Sequence, residues 1–200
     1  MSPLIIHPQD QSTDFLKPIY ASISNKTVIS GGIDKNELLE LIRNHDRIIM
    51  LGHGSPYGLL SVGQFPKIGD YVIDWSMVEL LSTKTDNIYI WCNADLFVKN
   101  NRLMGFFSGM FISEFGEAFS LGYYVSNRNL IDESNNSFAS IVSKHIHLPL
   151  DVFYKNVIQE YDIMAKTNPI AQFNMERLYI NSKNKNNGRN RFRKELPELP

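Results

Sequence analysis

Two short apolar runs dominate the hydropathy pattern, Arg47-Ile48-Ile49-Met50-Leu51 and Asn87-Ile88-Tyr89-Ile90-Trp91. Each is continuous rather than alternating, which predicts a strand buried on both faces, as in a parallel sheet. Leu4-Ile5-Ile6 and Thr27-Val28-Ile29-Ser30 read as a first and a second strand, the latter stopped by Gly31-Gly32. Between these two, Ser12-Thr13-Asp14 offers caps for a helix over 14–24 that Pro18 must restrict or kink. Asp34 and Glu37 resemble a capping box, and Ile33 and Leu38 are spaced as a hydrophobic staple. The helix so started buries Leu38, Leu41 and Ile42, and the run at 47–51 follows at once.

Residues 58–62 and 71–74 predict a small hairpin or extended arms, after which Ser76 caps a helix carrying Met77, Leu80 and Leu81. The stretch 93–104 reads as polar loop. From about Gly105, Phe107, Phe111, Phe115 and Phe119 recur at four-residue steps and predict a helix; 123–125 reads as a strand. Further helices are expected near 135–145, 150–164 and 169–180, the last with Asn168 as N-cap and Pro169 at its first position. This alternation predicts an α/β fold, a three-layer α/β/α sandwich around a mostly parallel central sheet with extra helices at its C-terminal end. One domain is expected over 1–180, followed by a polar, basic, disordered tail over 181–200.

Composition narrows the classes. Hydrophobic residues make up 43% of the chain, enough for a real core, and the net charge of −1 gives no general bias toward nucleic acid or membranes. The tail carries a surplus of +4, read as a solvated extension rather than a nucleic-acid contact. A single cysteine points to a reducing compartment. No signal peptide is evident and the apolar stretch at 103–113 is too short to span a bilayer, so a cytoplasmic setting without membrane contact is expected.

The two central runs end in chemistry. The first closes on Gly52-His53-Gly54-Ser55 and the second on Cys92-Asn93-Ala94-Asp95. In open α/β sheets ligands bind outside the carboxyl ends of the strands, and this places a His and the sole Cys at that edge. Cysteine as a nucleophile needs a nearby base or acid and donors for the oxyanion. His53 can supply the first, and the amides of Gly54 and Cys92 the second. The glycines at 52, 54 and 58 match no phosphate-binding fingerprint.

An apolar strand ending in His-Gly, followed by a second ending in Cys, resembles the caspase-like cysteine peptidases of clan CD, here their bacterial members. The resemblance covers 3–145 and takes in Gly109, the 123–125 strand and Asp132. It implies His53 as general acid/base, Cys92 as nucleophile, and Gly54 with Cys92 as the oxyanion hole. It departs from the caspase signature: Trp91-Cys92-Asn93-Ala94-Asp95 stands where Gln-Ala-Cys-Arg-Gly would, with no glycine after Cys92. In some relatives an acidic residue selects Arg or Lys, which makes Asp10, Asp74 and Asp95 candidate substrate-binding residues; each also suits a cap or turn.

The first reading is a cysteine endopeptidase acting on a peptide or protein through a Cys-His dyad; a further reading is a latent peptidase that needs an activating partner, a homodimer contact or processing to order its loops. The chemistry needs no metal or organic cofactor, and His145 and His147 lack the partners of a metal site. His7 is expected as a solvated loop residue. The segments 56–75 and 93–104 are the expected moving parts. The alternative is a non-catalytic α/β module using the same edge for a protein or phosphorylated ligand.

Overall fold

A computed structural model describes residues 2–63 and 70–182. Its central sheet begins with β1 (Leu4–Ile6), β2 (Thr27–Ile29) and β3 (Ile48–Leu51). A 3-10 turn (Gln11–Leu16) and a short α1 (Pro18–Ala21) join β1 to β2, and α2 (Lys35–Asn44) joins β2 to β3. Asp34 starts α2 by accepting the amides of Asn36 and Glu37. After β3 come the short strands β4 (Gly54–Ser55), β5 (Gly58–Leu60) and β6 (Tyr71–Ile73), which form a separate antiparallel sheet, and then α3 (Val78–Ser82).

The chain returns to the main sheet as β7 (Ile88–Ile90), and α4 (Ala94–Asn100) leads into β8 (Gly105–Ser108). Then come α5 (Phe115–Ser120), α6 (Asn129–His145), α7 (Leu150–Ala165), α8 (Pro169–Met175) and the last strand β9 (Leu178–Asn181). The six-stranded sheet runs β2-β1-β3-β7-β8-β9, with every pairing parallel except β8 with β9.

The continuous apolar runs are explained by helices on both faces of this sheet. On one face Leu4, Ile6, Ile48, Met50, Tyr89, Trp91 and Phe107 pack with residues of α2, α3, α4 and the small sheet. On the other, Ile5, Ile49, Leu51, Ile88, Ile90 and Phe106 pack with α1, α6, α7 and α8. Successive strand residues thus feed opposite cores, which requires each to be apolar. No helix among the described residues is long and apolar enough to cross a membrane.

Several expectations are corrected. The helix foreseen from Gly105 is instead β8, then loop, then α5. The four-residue phenylalanine spacing is coincidental: Phe106 and Phe107 are buried on opposite faces of a strand, whereas Phe115 and Phe119 are exposed on α5. Residues 123–125 form no strand, and 93–104, expected as loop, contains α4 with Ala94, Phe97 and Val98 buried. Asp74, not Ser76, caps the turn before α3. The helix foreseen over 169–180 ends at Met175, and Asn181 closes β9 rather than opening a tail. The rest of that tail, 183–200, lies outside the described residues.

His7 is buried rather than solvated. Its Nδ1 lies 3.0 Å from the Tyr20 hydroxyl and its Nε2 3.1 Å from Thr13 Oγ1. Thr13 Oγ1 donates its own hydrogen to Asp10 O, so the ring must donate to Thr13 through Nε2 and accept from Tyr20. That pattern suits a neutral imidazole, and burial, with Lys17 nearby, brings its pKa down to about 4. The unfolded chain takes up the proton below about pH 6.5 and the folded one does not. Stability should therefore fall by about 3 kcal/mol as pH drops from 6.5 to 4. His7→Gln should flatten that slope in urea titrations while lowering stability at neutral pH.

Candidate active site

The site starts from strand register. β3 and β7 are neighbours, pairing Ile49 with Ile88, Met50 with Tyr89 and Leu51 with Ile90, and the Gly52 amide adds a bond to Ile90 O at 3.0 Å. Each pair is separated by the same 39 residues that separate Ile48 from its partner Asn87, and so are His53 and Cys92. Both therefore leave the sheet at the same level, on adjacent strands, at the carboxyl edge. They line one small cleft of about 20 Å³, room for roughly a single water, together with Thr13, Leu16, Gly52 and Phe111.

Cys92 sits on a tight strand-to-helix turn. The amides on either side of it are pinned, Trp91 N to Ser108 Oγ at 3.1 Å and Asn93 N to Gly109 O at 3.1 Å. Asn93 occupies the left-handed region at φ 65°, ψ 27°, the conformation a glycine would take there. Asn tolerates it better than most residues, so the missing glycine does not prevent the turn. Non-glycine residues held in this region cluster at functional sites.

The thiol faces Phe111 O at 3.5 Å and Glu117 Oε1 at 3.6 Å. Burial, and then the adjacent Glu117 charge, push its pKa up to about 12. It is protonated at neutral pH. The other oxygen of Glu117 accepts the Ser113 amide at 2.7 Å, the Ser113 hydroxyl at 3.1 Å and the Glu114 amide at 2.9 Å. Glu117 thus ties the start of α5 down over the sulfur.

His53 is held by different partners. Its Nε2 lies 2.6 Å from Ser12 Oγ and 3.8 Å from Asp10 Oδ1, while Ser12 Oγ donates to Asp10 Oδ1 at 2.5 Å. No hydrogen bond joins His53 to Cys92. The two halves share a cleft, but Ser12 engages one and Glu117 the other.

The remaining predicted residues fall as follows. Gly54 lies so close to the Trp91 indole that a Cβ would sit 2.0 Å from Trp91 Cδ1, and Trp91 Nε1 donates to Ser55 O at 3.1 Å. Glycine is therefore required here by packing alone. Asp10 joins the site through Ser12. Asp74 caps the turn at Trp75–Met77 and pairs with Lys35 at 3.0 Å, and Asp95 pairs with Lys99 at 2.8 Å along α4; neither lines the cleft. Asp132 pairs with Arg128 at 3.1 Å in the exposed first turn of α6. Among the described residues no group of three or more His, Cys, Asp or Glu is placed to hold a metal.

Sequence reasoning missed Ser12, Glu117 and the role of Asn93. The structure shows Glu114 and Glu117 as a capping box that starts α5, and nothing local in the sequence signals that Glu117 faces a cysteine 25 residues earlier. Comparison with protein-family models and with curated proteins finds no match.

Two outcomes are expected. Glu117→Gln removes the charge and should make the Cys92 thiol more acidic. Alkylation by iodoacetamide at pH 8 should then run about threefold faster for every tenfold gain in the thiolate fraction, because a more acidic thiolate is a weaker nucleophile. Gly54→Ala should cost about 1–3 kcal/mol through overpacking against Trp91, read as a lower urea midpoint at unchanged m.

Proposed function

We propose that the chain is a cysteine endopeptidase of the caspase-like type, with a three-layer α/β/α fold, in a latent arrangement. The observation that carries this reading is the β3–β7 pairing, which brings His53 and Cys92 to one cleft at the carboxyl edge of a parallel sheet. The strained turn at Asn93 supports it. In this scheme the Cys92 sulfur bonds to a peptide carbonyl carbon, and the oxyanion takes hydrogen bonds from the amides of Gly54 and Cys92. His53 takes the thiol proton and delivers it to the departing amine. Water, deprotonated by His53, then attacks the thioester and frees the acyl product and Cys92.

Latency follows from two local facts. A thiol protonated to about pH 12 is a poor nucleophile, and Glu117 stands beside it. Activation requires the segment from Gly109 to Glu117 to withdraw, driven by substrate, a partner protein or a second copy of the chain. This segment takes the role expected of 93–104, which is instead occupied by α4. A cytoplasmic setting keeps the lone thiol reduced. The same protonated thiol favours a second reading, a non-catalytic module that binds a protein or phosphorylated ligand at this edge.

Chloromethyl ketones bearing Arg, Lys, Asp or Leu beside the warhead separate the two. The peptidase reading expects at least one to label Cys92 in Glu117→Gln, located by mass spectrometry, and expects His53→Ala to abolish that labelling. Absence of labelling by all four in both wild type and Glu117→Gln, with the fold intact by circular dichroism, would overturn it in favour of the binding module.

A further inference from the structure

The side chains around His53 fix more than its position. Ser12 Oγ has one hydrogen and two neighbours that could take it, Asp10 Oδ1 at 2.5 Å and His53 Nε2 at 2.6 Å. Asp10 also accepts the Ser12 amide at 2.8 Å. These two bonds from Ser12 hold the Asp10 carboxyl below its ordinary pKa, so at neutral pH it is ionised and can only accept. The Ser12 hydrogen therefore goes to Asp10. At 2.6 Å the Ser12 oxygen must then receive a hydrogen from His53 Nε2.

We infer that Asp10 and Ser12 are positioning residues that hold His53 as its Nε2–H tautomer, leaving Nδ1 as the basic nitrogen for the cleft. The inference rests on the peptidase reading for its purpose but not for its geometry. Direction of transfer follows from the bonding: when Nδ1 accepts the Cys92 proton, the imidazolium keeps its Nε2–H on Ser12, with the Asp10 carboxylate 3.8 Å from the positive ring. When Nδ1 gives that proton to the leaving amine, the original neutral tautomer returns, and no proton leaves Asp10 or Ser12. Asp10 thus enters the site as an electrostatic support for the base, a different task from selecting a cationic substrate side chain.

The support is itself anchored. Ser12 belongs to the 3-10 turn that Asp10 caps, and Thr13 in the same turn is tied to buried His7 and to Asp10 O. The relay is therefore built on the end of β1, next to β3 in the sheet. That explains how residues 41 positions apart stay in register.

The test is the ring nitrogen spectrum of the full chain labelled with 15N-histidine, with His53 assigned by comparison with His53→Gln. At pH 8 wild type should show a protonated Nε2 and an unprotonated Nδ1. Ser12→Ala should give exchange-averaged shifts of mixed tautomers, and Ser12→Thr should restore the wild-type pattern. An Nδ1–H form in wild type, or an unchanged pattern in folded Ser12→Ala, would overturn the relay, and the wild-type spectrum decides even if Ser12→Ala fails to fold. On a substrate found by the labelling above, Ser12→Ala should lower kcat between about 10- and 100-fold with KM within about twofold, again rescued by Thr. The expected tautomer pattern without any labelling of Cys92 would support the relay and remove the peptidase reading.

Discussion

The pairing of β3 with β7 is the constraint on which the rest of the site depends. Side chains alternate along a strand, so a one-residue slip would turn His53 away from Cys92 and exchange the two cores. The register is locked from below. Buried Asn87 accepts the Ile48 amide through Oδ1 at 3.1 Å and donates through Nδ2 to the Tyr89 hydroxyl and to Leu81 O. A polar side chain in an apolar layer tolerates no shift, because any slip strands its hydrogen-bonding groups. Side chains at the opposite end of the same two strands then follow.

Above that edge, two acidic residues engage Cys92 and His53 differently. Glu117 lies against the neutral thiol and disfavours its ionised form, while Asp10 accepts the Ser12 hydroxyl whose oxygen lies against His53. Trp91 separates this polar edge from the core beneath, packed between Tyr89 and Phe97 with its indole against Gly54. The small sheet of β4, β5 and β6 packs on the main one through that contact and through buried Leu59, Val72 and Ile73.

Much of this is legible in the sequence, and the reasons are local. Buried parallel strands announce themselves as unbroken apolar runs, and caps such as Asp34 and Asn168 have short-range signatures that the structure repeats. The failures have one source. Phe107, Phe111, Phe115 and Phe119 mimic a helical period although they belong to a strand, a loop and a helix, because tertiary burial overrides spacing. α4 is discernible from Ala94, Phe97 and Val98 at helical intervals, but Asn93, Asn100 and Asn101 weigh toward loop by their type. Ser12 and Glu117 cannot be found this way, since contacts at separations of 41 and 25 residues leave no pattern along the chain.

The segment over Cys92 is braced from far along the polypeptide. Ile112 exchanges two hydrogen bonds with Asn174, 62 residues later, and Asn135 donates to Ser113 O. Synthesis runs from the N-terminus, so β3, β7, His53 and Cys92 emerge from the ribosome before α8 exists to supply Asn174. A nascent chain halted before that helix would lack the two bonds that brace Ile112, the residue next to the Phe111 carbonyl that the thiol faces. Part of the restraint on the thiol is thus supplied by residues made well after the thiol itself.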